Sequence, residues 1–289
     1  MSEEQIQRRP HVLIMGWDGV RDDVVRAAHT PQLDALAARG FFATVRVHDA
    51  NPTISGPVWS TMATGVYRDR HGVHDNDFRG NAFDRHPDVL TRVRTALPGA
   101  TTFAGGAWAP LVEEASGGPL FSGGGYRPAV PADTENTGGI ELIATMDEAV
   151  TARVARELRH RDHAVVFAYE VLPDMVGHIE GVTDRYRAAV EICDEQLGVL
   201  LAAIDARPTR AEEDWTVIVL TDHGHLDAGH HGGDSEEERT AWISAAGPGI
   251  PAGSAPLVDH ADVLPHVLAA FGLPADPALP GRPFGAHED

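Results

Sequence analysis

Short, nearly continuous apolar runs recur along the chain. "HVLIMG" (11–16) is the first, followed by "TTFAG" (101–105), "AVVFAYE" (164–170), "WTVIVLT" (215–221) and "AWISAAG" (241–247). Runs of this length, rich in β-formers and ended by glycine, acid or threonine, predict strands buried on both faces. Between them the apolar residues change to helical spacing. Ile140, Ile143, Met146, Ala149, Val150 and Val154 share a stripe within residues 139 to 160. Tyr186, Val190, Cys193, Leu197, Leu200, Leu201 and Ile204 do the same within 184 to 205. In "TPQLDALAARG", Thr30 can cap, Pro31 suits a first helical turn, Leu33, Leu36 and Ala37 share a face, and Gly40 ends the helix. Strands alternating with helices predict an α/β fold with a mainly parallel central sheet and helices on both faces.

One segment breaks this rhythm. Residues 113 to 139 are rich in Gly and Pro and have no period, which predicts a loop insertion, either a plain surface loop or a lid over a site. No internal repeat or domain boundary is visible, so residues 1–289 are expected to form a single catalytic domain. The formal net charge of −20 argues against a nucleic-acid polymer as partner, because phosphate contacts need Lys and Arg. Bound cations can still reverse the field locally and admit a small anionic substrate. Cys193 is the single cysteine, so no intrachain disulfide can form. The charged N-terminal stretch "MSEEQIQRRP" has no apolar segment after it, and no apolar run approaches the roughly 20 residues that span a bilayer. The expectation is a cytoplasmic protein without a membrane partner.

Composition becomes informative where the acids and the sixteen histidines fall. Asp18 follows the first strand in "GWDGV". Asp174 and His178, four apart in "LPDMVGH", share a helical face or a loop surface. Asp222 and His223 follow the strand at 215–221, and His230 and His231 lie between glycines in "AGHHGG". Each alone has a bland reading as a turn residue. Together they lie after strand ends, where open α/β sheets bind ligands. Carboxylate plus imidazole is the donor mix of zinc, or of manganese as the carboxylate share rises. Five or six such ligands suffice for two divalent ions, which, when roughly 3.5–4 Å apart, clamp the attacking and leaving oxygens of a phosphoryl transfer. Such ions would also activate a hydroxyl, and "NPTISGPVWSTMATG" (51–65) offers five: Thr53, Ser55, Ser60, Thr61 and Thr64. That stretch alone does not choose among them.

With these motifs in this order, the chain resembles the alkaline phosphatase superfamily, and within it the nucleotide pyrophosphatase/phosphodiesterase branch. The resemblance runs from "VLIMGWDGV" to "GHHGG" and implies an alkaline phosphatase-like fold. It implies Ser55 as nucleophile, just ahead of Pro57, and Asn76 in "RHGVHDN" as the ligand of a phosphate oxygen. It implies Asp174, His178 and His231 around one ion, Asp18, Asp222 and His223 around the other, and a phosphoseryl intermediate. The substrate expected from it is a small phosphodiester or pyrophosphate, nucleotides included. Trp17, Trp59, Trp108 and Tyr126 are aromatics near the predicted loops that would stack on such a substrate or pack beneath those loops. His225, His230 and Asp227 would orient the imidazole ligands or face solvent. Trp59 stands where sulfatases carry Arg, which counts against a sulfatase. A phosphomonoesterase, a phosphonate hydrolase and a catalytically silent metal-binding homologue remain as alternatives on the same residues. A mutase would need an added cap domain, for which the chain is expected to be too short.

Overall fold

The computed structural model describes residues 8–130, 139–253 and 256–284. Strand β1 (Arg9–Trp17) lies inside the sheet because its side chains are apolar in both directions. Val12 and Ile14 point into one layer, and Leu13, Met15 and Trp17 into the other, all of them fully buried. This is the two-residue period of a strand covered on both faces. The remaining strands are β2 (Phe41–Arg46), β3 (Thr101–Gly106), β4 (His163–Glu170), β5 (Glu213–Leu220) and β6 (Thr240–Ala246). Their order is β2-β6-β5-β1-β4-β3. β5, β1, β4 and β3 run parallel, whereas β6 is antiparallel to β5 and β2 antiparallel to β6.

Helices cover both faces as the pattern predicts. Ser55–Thr64, Val89–Ala96 and Val263–Ala270 pack on the layer of Val12 and Ile14. Pro31–Arg39, Ile140–His160 and Asp184–Asp205 pack on the opposite layer. β2 is the strand the apolar runs do not reveal. It is a short edge strand with alternating burial, Ala43 and Val45 inward and Thr44 and Arg46 outward, and it starts one residue after Gly40.

Two local expectations change. Thr30 takes the N-cap position of its helix, but its side chain makes no capping bond. Asp194 of the long helix Asp184–Asp205 does this work instead, accepting from Gln32 N–H at 3.1 Å and Leu33 N–H at 2.8 Å. The cap is tertiary, so local sequence does not show it. Gly40 is needed for close approach: a Cβ there would lie 1.9 Å from the Ala245 carbonyl oxygen.

The described part of the 113–139 insertion is packed rather than loose. Leu120 and Phe121 are buried, Phe121 lies 4.5 Å from the Phe167 ring, and Tyr126 N–H donates to the Ala104 carbonyl. Residues 131–138, where a lid would continue, lie outside the described residues. Among the described residues no helix is long and apolar enough to cross a membrane.

Candidate metal and nucleophile site

The strand order decides where the chemistry gathers. β5, β1 and β4 are neighbours and parallel, so their carboxyl ends emerge side by side. Asp18 leaves β1, Asp222 and His223 leave β5, and Asp174 and His178 lie on the helix Leu172–Glu180 that follows β4. His231 comes in on the loop after β5. The donor atoms of Asp174, His223, His225 and His231 all lie within 4.8 Å of one another, as do those of Asp18, Asp222 and His223. His223 belongs to both groups, so the two sets adjoin. Asp18, Asp222, His223 and His225 are fully buried.

The imidazoles are turned one way. His231 Nδ1 donates to the Thr53 carbonyl at 2.7 Å, and His223 Nδ1 donates to the Gly224 carbonyl at 3.0 Å. With Nδ1 protonated, each Nε2 offers a lone pair. The His178 and His231 Nε2 atoms stand only 3.0 Å apart, and each is 3.5 Å from an Asp174 oxygen. The His223 and His231 rings stack with centroids 3.8 Å apart. Asp222 Oδ2 is buried without a hydrogen-bond partner, while Oδ1 accepts from Gly19 N–H at 3.0 Å. The His231 and His223 lone pairs and the orphaned Asp222 oxygen are all acceptors without a donor of their own in this crowded cluster, so the donor set fits divalent ions.

Burial and crowding move the acids and imidazoles of this cluster away from their ordinary pKa values. Burial, and then the neighbouring Asp174 charge, lift Asp18 to about 7 against the pull of its Tyr169 and Trp59 hydrogen bonds. Burial followed by Asp18 raises Asp222 well above the carboxylate range. Burial and the nearby His231 hold His223 well below the usual imidazole value. Asp174 is the exception. Burial pushes it up, but its His225 hydrogen bond and three surrounding imidazoles prevail and keep it low.

Ser55 is the first residue of its helix and 5% exposed. Its Oγ lies 3.4 Å from Asp18 Oδ1 and 3.3 Å from His223 Nε2, both members of the Asp18, Asp222 and His223 group. Thr53, Ser60, Thr61 and Thr64 instead hold backbone carbonyls or pack within the fold. Asn76 is exposed, and its Oδ1 accepts from Gly56 N–H at 2.8 Å. That bond commits the amide oxygen to the helix and leaves the amide N–H groups for an anion. Gly56 is required there because a Cβ would lie 2.2 Å from the Asp75 carbonyl oxygen.

The aromatic expectations are corrected. Trp17 and Trp59 are fully buried, so neither can stack on a substrate. Trp17 packs edge-on against Trp242 beneath the site. Trp59 Nε1 donates to Asp18 Oδ2 at 2.9 Å. Tyr126 is half-buried at the β3 edge, with the Arg153 guanidinium 5.1 Å over its ring, and among the described residues no contact ties it to the ligand sets. Trp108, also half-buried, packs against Phe78 and Tyr169.

For three residues the structure specifies the contact. His225 Nε2 donates to Asp174 Oδ1 at 2.9 Å, so it orients a carboxylate rather than an imidazole. His230 adopts a left-handed backbone, φ 68°, and its Nδ1 sits 3.3 Å from His178 Nδ1, on the outer side of that ring. Tyr169 donates its hydroxyl to Asp18 Oδ2. Its signal was a phenol inside an otherwise apolar strand. A further group of donors, His11, Asp162 and Glu213, gathers at the opposite end of the sheet. The Arg207 guanidinium bonds both acids there, at 3.0 Å and 2.8 Å, and already supplies the positive charge.

The family model of type I phosphodiesterases/nucleotide pyrophosphatases matches residues 12–243. A 2,3-bisphosphoglycerate-independent phosphoglycerate mutase from Synechococcus sp. is 27% identical over 189 residues, 56% of this chain and 33% of that protein. The chain spans about a third of the length of the curated relatives it matches. Murine ectonucleotide pyrophosphatase/phosphodiesterase 5, solved as an inactive variant with AMP, superposes with a TM-score of 0.67 at 15% identity, covering 93% of this chain and 96% of that one. A 2-O GAG sulfatase superposes at 0.71 with 15% identity, covering 95% and 73%. At such identities these structures speak to the fold alone, which is alkaline phosphatase-like. The family match covers most of the chain, and by it the protein belongs to the type I phosphodiesterase/nucleotide pyrophosphatase family.

Proposed function

We propose that the protein is a metal-dependent hydrolase of small phosphodiesters or pyrophosphates, with Ser55 as its nucleophile. The observation that carries this reading is the place of Ser55 Oγ, 3.4 Å from Asp18 Oδ1 and 3.3 Å from His223 Nε2, against two acid and imidazole groups that would hold an ion. Asp174, His178 and His231 would hold one ion and Asp18, Asp222 and His223 the other. The imidazole-rich set suits zinc, and the carboxylate-rich set suits zinc or manganese. Bound there, divalent ions lower the pKa of a hydroxyl and offset charge on phosphoryl oxygens.

The chain's own residues do the rest. Ser55 Oγ releases its proton to solvent and attacks phosphorus in line with the leaving oxygen. The bond to that oxygen breaks and a phosphoseryl ester forms. Asn76, its oxygen fixed by Gly56 N–H, directs amide N–H groups at a phosphoryl oxygen. Ser55 sits at a helix N-terminus, whose dipole favours the anion. Water then cleaves the phosphoseryl ester and frees Ser55. The AMP complex of the murine relative supports a nucleotide as one substrate candidate.

Ser55→Ala tests the covalent step. Hydrolysis of bis-p-nitrophenyl phosphate should fall by several orders of magnitude while metal content stays native. Near-full activity in that variant sinks the phosphoseryl mechanism. A preference for p-nitrophenyl phosphate over the diester would favour the phosphomonoesterase reading, which the similarity to a phosphoglycerate mutase keeps in play.

A further inference from the structure

Helix Ser55–Thr64 brings two side chains to one carboxylate. Ser55 and Trp59 are four residues apart, so they project from the same face one turn apart. Ser55 Oγ approaches Asp18 Oδ1 at 3.4 Å, and Trp59 Nε1 donates to Asp18 Oδ2 at 2.9 Å. Tyr169, from β4, donates its hydroxyl to the same Oδ2. The two Asp18 oxygens are therefore unequal: Oδ2 is taken by two donors, and Oδ1 faces Ser55 and His223.

The surroundings are built around this arrangement. The Trp59 indole stands edge-on to Tyr169, with centroids 5.4 Å apart, and to Phe167 at 6.2 Å. Gly16, in β1 two residues before Asp18, is the only residue type that leaves room for it, since a Cβ there would lie 2.5 Å from Trp59 Cη2. A residue that merely filled space would not need its one polar atom aimed at a fully buried carboxylate. Nor would the strand beneath need to give up a side chain for it.

We infer that Trp59 and Tyr169 are positioning residues that clamp Asp18 Oδ2, leaving only Oδ1 for an ion and fixing the distance between that ion's ligand and Ser55. The inference rests on Asp18 being a metal ligand, as proposed above. Two donors on one oxygen hold the carboxylate against rotation. They also keep it from taking an ion through both oxygens, which would fill a coordination position that substrate needs.

The test uses Tyr169→Phe, which keeps the ring and its packing, and Trp59→Phe, which keeps an aromatic body. Ion affinity is measured on apo-protein by competition with a chromophoric chelator, using zinc and cobalt(II). Each variant should bind one of its ions about 10- to 100-fold more weakly, with the other unchanged. The visible absorption of the cobalt(II) form should weaken as the freed carboxylate raises the coordination number. Phe167→Leu, which disturbs the same cluster without touching Asp18, should lower stability and leave affinity alone. Tyr169→Phe with native affinity and an unchanged cobalt spectrum overturns the clamp, whatever Trp59→Phe does to folding. Failure of the native protein to take up any ion would instead strike at the proposed function itself.

Discussion

Gly177→Ala puts opposing effects into a single methyl group. Gly177 lies inside the helix Leu172–Glu180, between Asp174 and His178. Alanine there gains about 0.8–1.0 kcal/mol of helix propensity. Its Cβ, however, would lie 2.8 Å from His225 Cε1, 2.9 Å from Nε2 and 3.0 Å from Nδ1. Carbon contacts relax at about 3.5 Å, so the ring must retreat by roughly 0.5–0.7 Å. Its bond to Asp174, now 2.9 Å, would then stretch to the edge of hydrogen-bonding range. A hydrogen bond to a charged group is worth about 1.5–3 kcal/mol, which outweighs the helix gain. The variant should be destabilised by about 1–2 kcal/mol and bind ions about tenfold or more weakly. Thermal melts of the apo-protein and chelator competition read the two effects separately. In a His225→Ala background the clash is gone, so the same glycine change should stabilise. If Gly177→Ala alone raises stability by the full helix gain with native ion affinity, His225 does not orient Asp174.

Other outcomes follow from the same geometry. Removing ions with a chelator should abolish hydrolysis and lower the melting temperature, since an ion at 100 times its Kd adds about 2.7 kcal/mol; zinc or manganese should restore both, and a melt insensitive to chelator would contradict the assignment. Asp18, lifted to about 7, must lose its proton to bind an ion. Ion affinity should therefore fall about tenfold per pH unit below that point for this proton alone, and a flat profile between pH 5.5 and 7 would refute it. Asp147 is buried, accepts from Val171 and Leu172 N–H at 2.8 Å each, and is pushed to about 8, first by burial. Its folded pKa lies above its unfolded one, so stability is lost as pH rises from about 4 to about 8 and then levels off. Asp147→Asn keeps an accepting oxygen and removes that slope. Its gain in melting temperature should grow from pH 4.5 to 8, and an equal gain at both ends would rule this out.

The runs at 11–16, 164–170, 215–221 and 241–247 were legible as strands because they are largely apolar on both faces, the edge run at 101–105 by its β-formers and closing glycine, and the long helices because their stripes persist for several turns. β2 was not, since six alternating residues directly after a helix carry too little pattern. The acids and histidines could be picked out by their places after strands. Their convergence depends on β5, β1 and β4 being neighbours, which no local sequence states. The roles of Trp59 and Tyr169 were hidden for a related reason. In a one-dimensional reading Trp59 either stacks on a substrate or packs beneath a loop, and only the fold shows its N–H aimed at an acid from another strand. Asp194 capping a helix more than 150 residues away is illegible in the same way.

Every residue of the helix Ser55–Thr64 is buried, so the helix that carries the proposed nucleophile has no face in water. Mobile ions reach it poorly, and salt screens its dipole little along its length. The chain as a whole carries a formal charge of −20, which repels an anionic substrate at long range through solvent, where salt acts strongly. Near and far fields thus differ in sign and in their response to ionic strength. Added salt eases the approach of the substrate and leaves the attraction at Ser55 largely intact.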